Sequence, residues 1–192
     1  MNIFYLSRDP AECARMHCDK HVVKMIIEYA QLMSTAHRLI DGTQFIDQSS
    51  GRKIKRWHLN DHRDDTLYLA AHVNHPSNVW VRSSSEHYNW LYTMWSHLLK
   101  EYTHRYHKAH ATGKLMFALN RTPNNLHDTG WIDPPQAMPD ECKLADSVSA
   151  YRQYYVMKKS FAKWTNRDIP VWYSHGVLDL LTRESQLMGL YD

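Results

Sequence analysis

The fold of this chain is decided by residues 19–42, DKHVVKMIIEYAQLMSTAHRLIDG. Apolar side chains return there at alternating spacings of four and three residues, which places them along one face of an α-helix. These positions are Val22, Ile26, Tyr29, Met33, Ala36 and Ile40. The stripe stops at Asp41–Gly42, a pair typical of a helix C-terminus. The segment therefore predicts one long amphipathic helix.

The same periodicity predicts the other helices. Asp9 followed by Pro10 is typical of an N-cap with proline in the first helical position, so helix begins there, with a break near Cys18–Asp19. Between Ser84 and His110 the apolar positions again step by three and four, which predicts a second long helix. Further helices are predicted over residues 66–73 and 140–164, and a last short one over residues 176–188.

Two segments are predicted to be irregular. Residues 43–65 are polar and basic, with a short helix towards their end, and residues 112–139 are rich in proline and asparagine. Loops as long as the second one are often functional in compact domains. The chain shows no β-hairpin dipeptide, βαβ alternation or internal repeat. We therefore predict a mainly α fold, a compact single-domain helical bundle with long irregular loops over residues 1–192.

The composition is rich in aromatic and titratable side chains. The 192 residues include 14 His, 12 Tyr and 7 Trp, and the formal net charge is +3 at pH 7. This mildly basic balance permits a nucleic-acid partner without requiring one. No apolar run approaches the ~20 residues of a membrane span, and the first residues lack a signal-peptide pattern. We expect no membrane partner and a cytoplasmic protein with reduced cysteines, in the host cell if a phage encodes it.

A polar stripe also follows the long N-terminal helix. Its members share one helix face and are His21, Lys24, Glu28, Gln31, Thr35 and Arg38. A carboxylate one turn from a lysine and near a histidine suits general acid–base catalysis when the site is buried. The alternative is a solvated helix face with an ordinary Lys24–Glu28 ion pair.

A second group combines histidines with carboxylates. Its members are His58, Asp61, His62, Asp64, Asp65, His72 and His75. Histidines at positions i and i+4 of a helix can share a zinc or iron ion. Because the spacing matches no metalloenzyme signature, a polar surface or packing role is the alternative.

Aromatic and cationic side chains alternate in residues 75–82 (HPSNVWVR) and in residues 158–167. Further cations lie in residues 52–56. In nucleic-acid complexes, cations contact phosphates and aromatic rings stack on unpaired bases. The alternative is that the cations are solvated and that the tryptophans are core anchors, namely Trp80, Trp90 and Trp95.

Several of these residues resemble the pyrimidine-dimer DNA glycosylases of the phage endonuclease V type. The segment Asp19–Val23, followed by Glu28, is similar to the Asp-x-His-Leu segment and the catalytic Glu of that family. The family also has a His-Pro and a Trp before a long helix that ends in Glu and Arg. The residues that resemble this second motif are His75, Pro76, Trp80, Tyr88, Leu91, Glu101 and Arg105. The similarity is discontinuous and lies within residues 1–110.

The resemblance implies a compact, mostly α enzyme that bends duplex DNA, flips a base and cleaves a glycosidic bond. It further implies an N-terminal α-amine as nucleophile and a Glu that handles the sugar-ring oxygen and the protons. Glu28, His21 and Arg8 fall on the Glu, the His and an N-terminal Arg of the family.

The chain departs from the family pattern in three places. A gapless register puts the family's amine at Ser7, so an imine mechanism requires a five-residue shift near the start. Asn2 is a bulky second residue that hinders removal of Met1. Arginines that flank the family's Glu are replaced by Ile27 and Gln31.

We therefore expect an N-glycosylase-like enzyme that processes a base in duplex DNA and needs no metal or other cofactor. Glu28 is the expected acid/base or stabiliser of an oxocarbenium-like sugar, tuned by His21 and Lys24. The expected DNA contacts are Arg8, Lys20, Gln31, Arg38, His75, Trp80 and Arg82. One alternative is a metal-dependent phosphohydrolase or nuclease built on His58 and His62. Another is a non-catalytic protein that binds nucleic acid or a nucleotide.

Overall fold

The computed structural model describes residues 1–187, which contain eight α-helices and one two-stranded sheet. The helices are α1 (Pro10–Met16), α2 (Asp19–Asp41), α3 (Arg63–Thr66), α4 (Pro76–Val81), α5 (Ser85–Tyr106), α6 (Met116–Leu119), α7 (Ser147–Lys158) and α8 (Val171–Leu187). The strands are β1 (Thr43–Asp47) and β2 (Ile54–His58), and short 3-10 helices cover Ala111–Leu115 and Asp140–Cys142. The predicted mainly α, compact fold is confirmed. No helix within residues 1–187 is long and apolar enough to cross a bilayer.

The ends of α1 and α2 lie where local chemistry places them. The Asp9 side chain accepts a hydrogen bond from the Glu12 amide and Pro10 is the first helical residue, so the predicted start is confirmed. Cys18 has extended backbone angles and separates the two helices. At Gly42, a Cβ atom would overlap the carbonyl oxygen of Arg38, so only glycine fits this close approach.

One hydrophobic core joins the N-terminal segment to α2, α5, α7 and α8, with members from Ile3 to Tyr173. The indole of Trp95, on α5, is fully buried and donates a 2.9 Å hydrogen bond to the carbonyl of Ile26, on α2. The close approach of α8 to α7 depends on Gly176, where a Cβ would lie 2.7 Å from a methyl group of Val156. The apolar stripe predicted for α2 is buried up to Ala36, while Ile40 is partly exposed.

The predicted helix over residues 66–73 is wrong. Helix α3 ends at Thr66 and does not continue, because the guanidinium of Arg38 binds carbonyl oxygens that a longer helix would use. It donates hydrogen bonds to the carbonyl oxygens of Asp64, Leu67 and Tyr68 at 2.7–2.9 Å. The chain from 67 to 73 is therefore irregular.

Two other predicted helices differ from the structure in their ends. The helix expected over 140–164 is α7, which begins only at Ser147 because the side chain of Asp146 accepts from the Ser149 amide as an N-cap. The last helix begins at Val171, five residues before the predicted start. Its predicted end at Met188 lies outside the described residues.

Residues 43–58 form a β-hairpin where an irregular connection was predicted. The strands are antiparallel, with Phe45 opposite Arg56 and Ile46 opposite Lys55. The turn is longer than the two-residue turns that carry a dipeptide signature, and it contains Gly51 at a φ of 76°. Most side chains of the strands are exposed, so the alternation of apolar and polar residues that reveals a half-buried strand is missing.

Candidate active site

The N-terminal amine and Glu28 meet at the surface of α2. The α-amino nitrogen of Met1 lies 3.5 Å from Oε2 of Glu28, and Nζ of Lys24 lies 3.2 Å from Oε1. The Glu28 side chain is 16% exposed, whereas that of Lys24 is 68% exposed. One carboxylate thus lies between two amines and remains accessible from solvent.

A chain of buried hydrogen bonds holds the N-terminal segment against α2. Nδ1 of His17 lies 2.8 Å from the carbonyl oxygen of Cys13, and because a carbonyl only accepts, this nitrogen carries the proton. Nε2 therefore accepts from the hydroxyl of Tyr29, at 2.8 Å. The same hydroxyl accepts from the backbone amide of Phe4, at 3.1 Å. Tyr29 follows Glu28 directly, so this contact fixes the backbone three residues from the amine.

His75 lies in the same electrostatic environment as the amine and Glu28. Its Nδ1 caps α4 by accepting from the amide of Ser77, at 3.2 Å. Burial lowers its pKa, the N-terminal amine and His72 lower it further, and Glu28 acts in the opposite direction. The N-terminal amine and Glu28 are therefore among the charges that influence the His75 ring.

Arg82, at the end of α4, is partly buried. Burial lowers the pKa of its guanidinium, and its nearest polar contact is Oδ1 of Asn78, 3.4 Å away. Asn78 in turn donates a 2.8 Å hydrogen bond to the carbonyl of Ala71, in the segment that precedes His75. Arg82 therefore makes one long side-chain hydrogen bond within residues 1–187.

His21 lies in the interior and not beside Glu28. Its Nδ1 is hydrogen-bonded to the hydroxyl of Tyr155, and its ring stacks on Phe4 with 4.0 Å between the centroids. Burial, reinforced by nearby His17, Lys159 and Lys24, lowers its pKa to about 2. The ring is therefore neutral near pH 7. It packs against Phe4, whereas the sequence suggested that it tunes the carboxylate of Glu28.

Two predicted DNA contacts, Arg38 and Trp80, are also placed in the interior. All five N–H groups of Arg38 donate hydrogen bonds within the protein. The acceptors are a carboxylate oxygen of Asp64 and the backbone carbonyl oxygens of Trp57, Asp64, Leu67 and Tyr68. The indole of Trp80 donates to the carbonyl of Ile132, and its ring stacks on His87. Arg38 fixes the connection after α2, and Trp80 anchors α4, so neither side chain is free for DNA.

The remaining predicted contacts lie at the surface. Arg8 is 72% exposed, with Asp146 at 3.0 Å and Asp133 at 3.9 Å. Lys20 is exposed and holds its Nζ 4.3 Å from the ring centre of Phe161. Gln31 is partly exposed, one turn after Glu28. The solvent face of α2 also carries two large apolar side chains, Val23 and Ile27.

The histidine-rich group does not converge. Nδ1 of His58 lies 2.9 Å from Oδ2 of Asp64, which is also bound to Arg38. Within residues 1–187, no three His, Cys, Asp or Glu side chains are placed to hold a metal ion. A cavity of about 460 Å³ lies between α7 and α8, lined in part by Arg152 and Trp172, and Glu28 is not part of its lining.

Sequence reasoning missed the position of the amine. The gapless register pointed to Ser7, but the Ser7 hydroxyl is bound to Glu12 and accepts from the amide of Asp9. The segment from Ile3 to Leu6 is buried and extended, and it carries the amine to α2. Its apolar character was the only signal in the sequence that it packs inside.

Comparisons with protein-family models, with curated proteins and with solved structures found no match. The arrangement around Glu28 is therefore the main basis for a functional proposal.

Proposed function

We propose that this protein is a DNA N-glycosylase-like enzyme in which Glu28 and the α-amine of Met1 act on a damaged or modified nucleotide of duplex DNA. The 3.5 Å approach of that amine to Oε2 of Glu28 carries the proposal. An amine nucleophile beside a carboxylate combines the two functions that an imine-forming glycosylase requires. The resemblance of residues 19–28 to the pyrimidine-dimer glycosylases supports the same assignment.

The chemistry follows from this pair. The neutral amine attacks C1′ of the nucleotide, the bond from C1′ to the base breaks, and its electron pair leaves with the base, which takes a proton from water. Glu28 accepts a proton from the new ammonium group and passes it to the sugar-ring oxygen. The C1′–O bond then opens, and an iminium forms between C1′ and Met1. Water hydrolyses this iminium, which regenerates the amine and leaves an abasic site.

The surroundings of Glu28 suit this chemistry. Lys24 places a mostly exposed cation 3.2 Å from the carboxylate. The buried hydrogen bond from the Phe4 amide to Tyr29 holds the backbone near the amine before DNA binds. Arg82 and His75 are the proposed contacts to phosphates of the bound DNA.

The first test compares Glu28→Gln with Glu184→Gln, which removes an exposed carboxylate from α8. Both variants and the unaltered protein are incubated with ultraviolet-irradiated, abasic-site and undamaged duplexes. We expect Glu28→Gln to lower base release or strand cleavage by roughly 10²-fold or more and to keep DNA affinity within about twofold. Activity of Glu28→Gln at the level of the control overturns the proposal. Binding of all three duplexes without turnover favours the non-catalytic alternative instead.

The second test identifies the nucleophile. Borohydride reduction during turnover converts the imine into a stable amine, and mass spectrometry then locates the adduct in a tryptic digest. Trypsin separates residues 1–8 from the peptide with Lys24. We expect the adduct on residues 1–8 of a chain whose intact mass shows a free amine at Met1. An adduct on Lys24, whose Nζ lies 3.2 Å from Glu28, contradicts the role of Met1.

A further inference from the structure

The β-hairpin of residues 43–58, the hairpin arm, holds an unusual share of the charge. The chain has 23 Lys and Arg against 20 Asp and Glu. The hairpin arm has four of the cations and one of the carboxylates. The rest of the chain is therefore balanced, with 19 of each sign, and the whole net charge of +3 belongs to the arm.

Three of the four cations of the arm are free to bind a partner. Arg56 has Asp47 nearby, with 3.7 Å between its Nε and a carboxylate oxygen. The other three are exposed, and in the described part of the chain no carboxylate lies within 4 Å of their charged nitrogens; they are Arg52, Lys53 and Lys55.

The arm also exposes large apolar side chains. Phe45 is 48% exposed and Ile46 is 47% exposed. The register places Phe45 opposite Arg56 and Ile46 opposite Lys55, so each face of the ribbon pairs an apolar side chain with a cation. Among residues 1–187, neither strand has a second neighbour.

The structure holds the base of the arm and exposes residues 43–46 and 48–53. Nη1 of Arg38 donates a 2.8 Å hydrogen bond to the carbonyl of Trp57, and Gly42 makes the sharp exit from α2 possible. A two-stranded hairpin is marginally stable alone, and its exposed apolar residues and open edges promote unwanted association. A fixed base and an exposed, basic ribbon are therefore features that favour binding to a partner.

We infer that the hairpin arm binds duplex DNA by lying in a groove, with Arg52, Lys53 and Lys55 on the phosphates. The major groove, ~12 Å wide, admits a two-stranded β-ribbon, and apolar side chains there contact thymine methyl groups. Charge complementarity selects a polyanion, and the choice of DNA rests on the proposed function. The arm would add a second DNA contact surface, which follows α2 in the chain and is separate from Glu28 on α2.

The test uses two triple variants of the full chain with the same change in net charge. Arg52→Gln/Lys53→Gln/Lys55→Gln alters the arm, and Lys100→Gln/Lys108→Gln/Lys114→Gln alters exposed lysines on α5 and just after it. Fluorescence anisotropy with an undamaged 20-base-pair duplex measures affinity at several salt concentrations. We expect the arm variant to bind about tenfold more weakly than the control variant. The slope of log K against log salt should fall by about 2–3, since each lost phosphate contact contributes ~0.9. Far-UV circular dichroism verifies that both variants fold.

Equal affinity of the two variants overturns the inference, whether or not the protein releases a base. The inference is also overturned if the arm variant binds anionic phospholipid vesicles more weakly than the control variant does but binds the duplex equally well, because the arm then recognises a membrane surface. Weaker duplex binding by the arm variant, together with no base release by the unaltered protein, supports the arm and refutes only the proposed glycosylase.

Discussion

The hydroxyl of Tyr29 accepts a 3.1 Å hydrogen bond from the backbone amide of Phe4 and lies 2.8 Å from Nε2 of His17. One buried group thus joins three segments, namely the N-terminal strand-like stretch, the end of α1 and the middle of α2. Because Tyr29 is next to Glu28 and Phe4 is close to Met1, this junction sets the distance between amine and carboxylate.

Tyr29→Phe should therefore affect both stability and chemistry. It leaves the Phe4 amide and Nε2 of His17 without their partner in the interior, which costs about 1–3 kcal/mol. We expect a lower free energy of unfolding in urea and less borohydride-trapped adduct, with DNA affinity unchanged. Tyr92→Phe, which removes a 3.3 Å contact to the carbonyl of Met116, is the matched control. Equal stability of the two variants contradicts the role of this junction.

Three of the four buried histidines within residues 1–187, namely His17, His21 and His37, have strongly lowered pKa values that make stability depend on pH. Burial lowers the pKa of His17 and His37 to about 4 and that of His21 to about 2. In the unfolded chain these histidines are protonated near pH 6.5, whereas in the folded chain they are protonated only at lower pH. The contribution of the neutral buried rings to the free energy of unfolding is therefore complete above pH 6.5 and is lost as pH falls towards 4. Each histidine contributes a slope of up to about 1.4 kcal/mol per pH unit.

The measurement is urea unfolding at pH 7 and pH 5. We expect a lower free energy of unfolding at pH 5, and His37→Gln should reduce the difference between the two values because one titrating group is removed. A free energy that is constant over this interval would show that these rings are not kept neutral by burial.

Arg38→Ala should be among the most destabilising substitutions of a charged residue. It removes one partner of the ion pair with Asp64 and the donor to four backbone carbonyl oxygens, a loss of about 3–5 kcal/mol. Hydrogen exchange should accelerate at residues 54–58 and 64–68. Arg15→Ala, at an exposed position of α1, should change stability by no more than about 0.5 kcal/mol. A small effect at Arg38 would mean that the hairpin arm is held by other contacts.

Gly42→Ala tests the exit from α2. The added methyl group meets the carbonyl oxygen of Arg38, which is backbone and cannot rotate away, so a loss of about 1–3 kcal/mol is expected. Gly113→Ala is the control, since its Cβ would meet only a methyl group of Leu99 at 3.9 Å. Thermal unfolding followed by circular dichroism compares them. Indistinguishable unfolding midpoints of the two variants would show that the turn from α2 into the hairpin arm does not require glycine at position 42.

Local patterns in the sequence predicted most of the helical framework. The apolar stripes of α2 and α5, the N-cap at Asp9 and the end at Gly42 depend on residues within a turn or two of each other. The helix expected over 66–73 does not form, because Arg38, a side chain distant in sequence, donates hydrogen bonds to carbonyl oxygens of that segment. The hairpin arm was missed because exposed strands carry no alternating pattern.

The sequence by itself determined the mainly α fold and singled out Glu28 within a polar stripe, since helix periodicity and capping are local properties. Only the tertiary structure decided which groups surround Glu28. It brought the Met1 amine to 3.5 Å from the carboxylate and moved His21, Arg38 and Trp80 to the interior. Whether a polar side chain is buried depends on packing between segments that are far apart in sequence, and helix periodicity alone does not encode that packing.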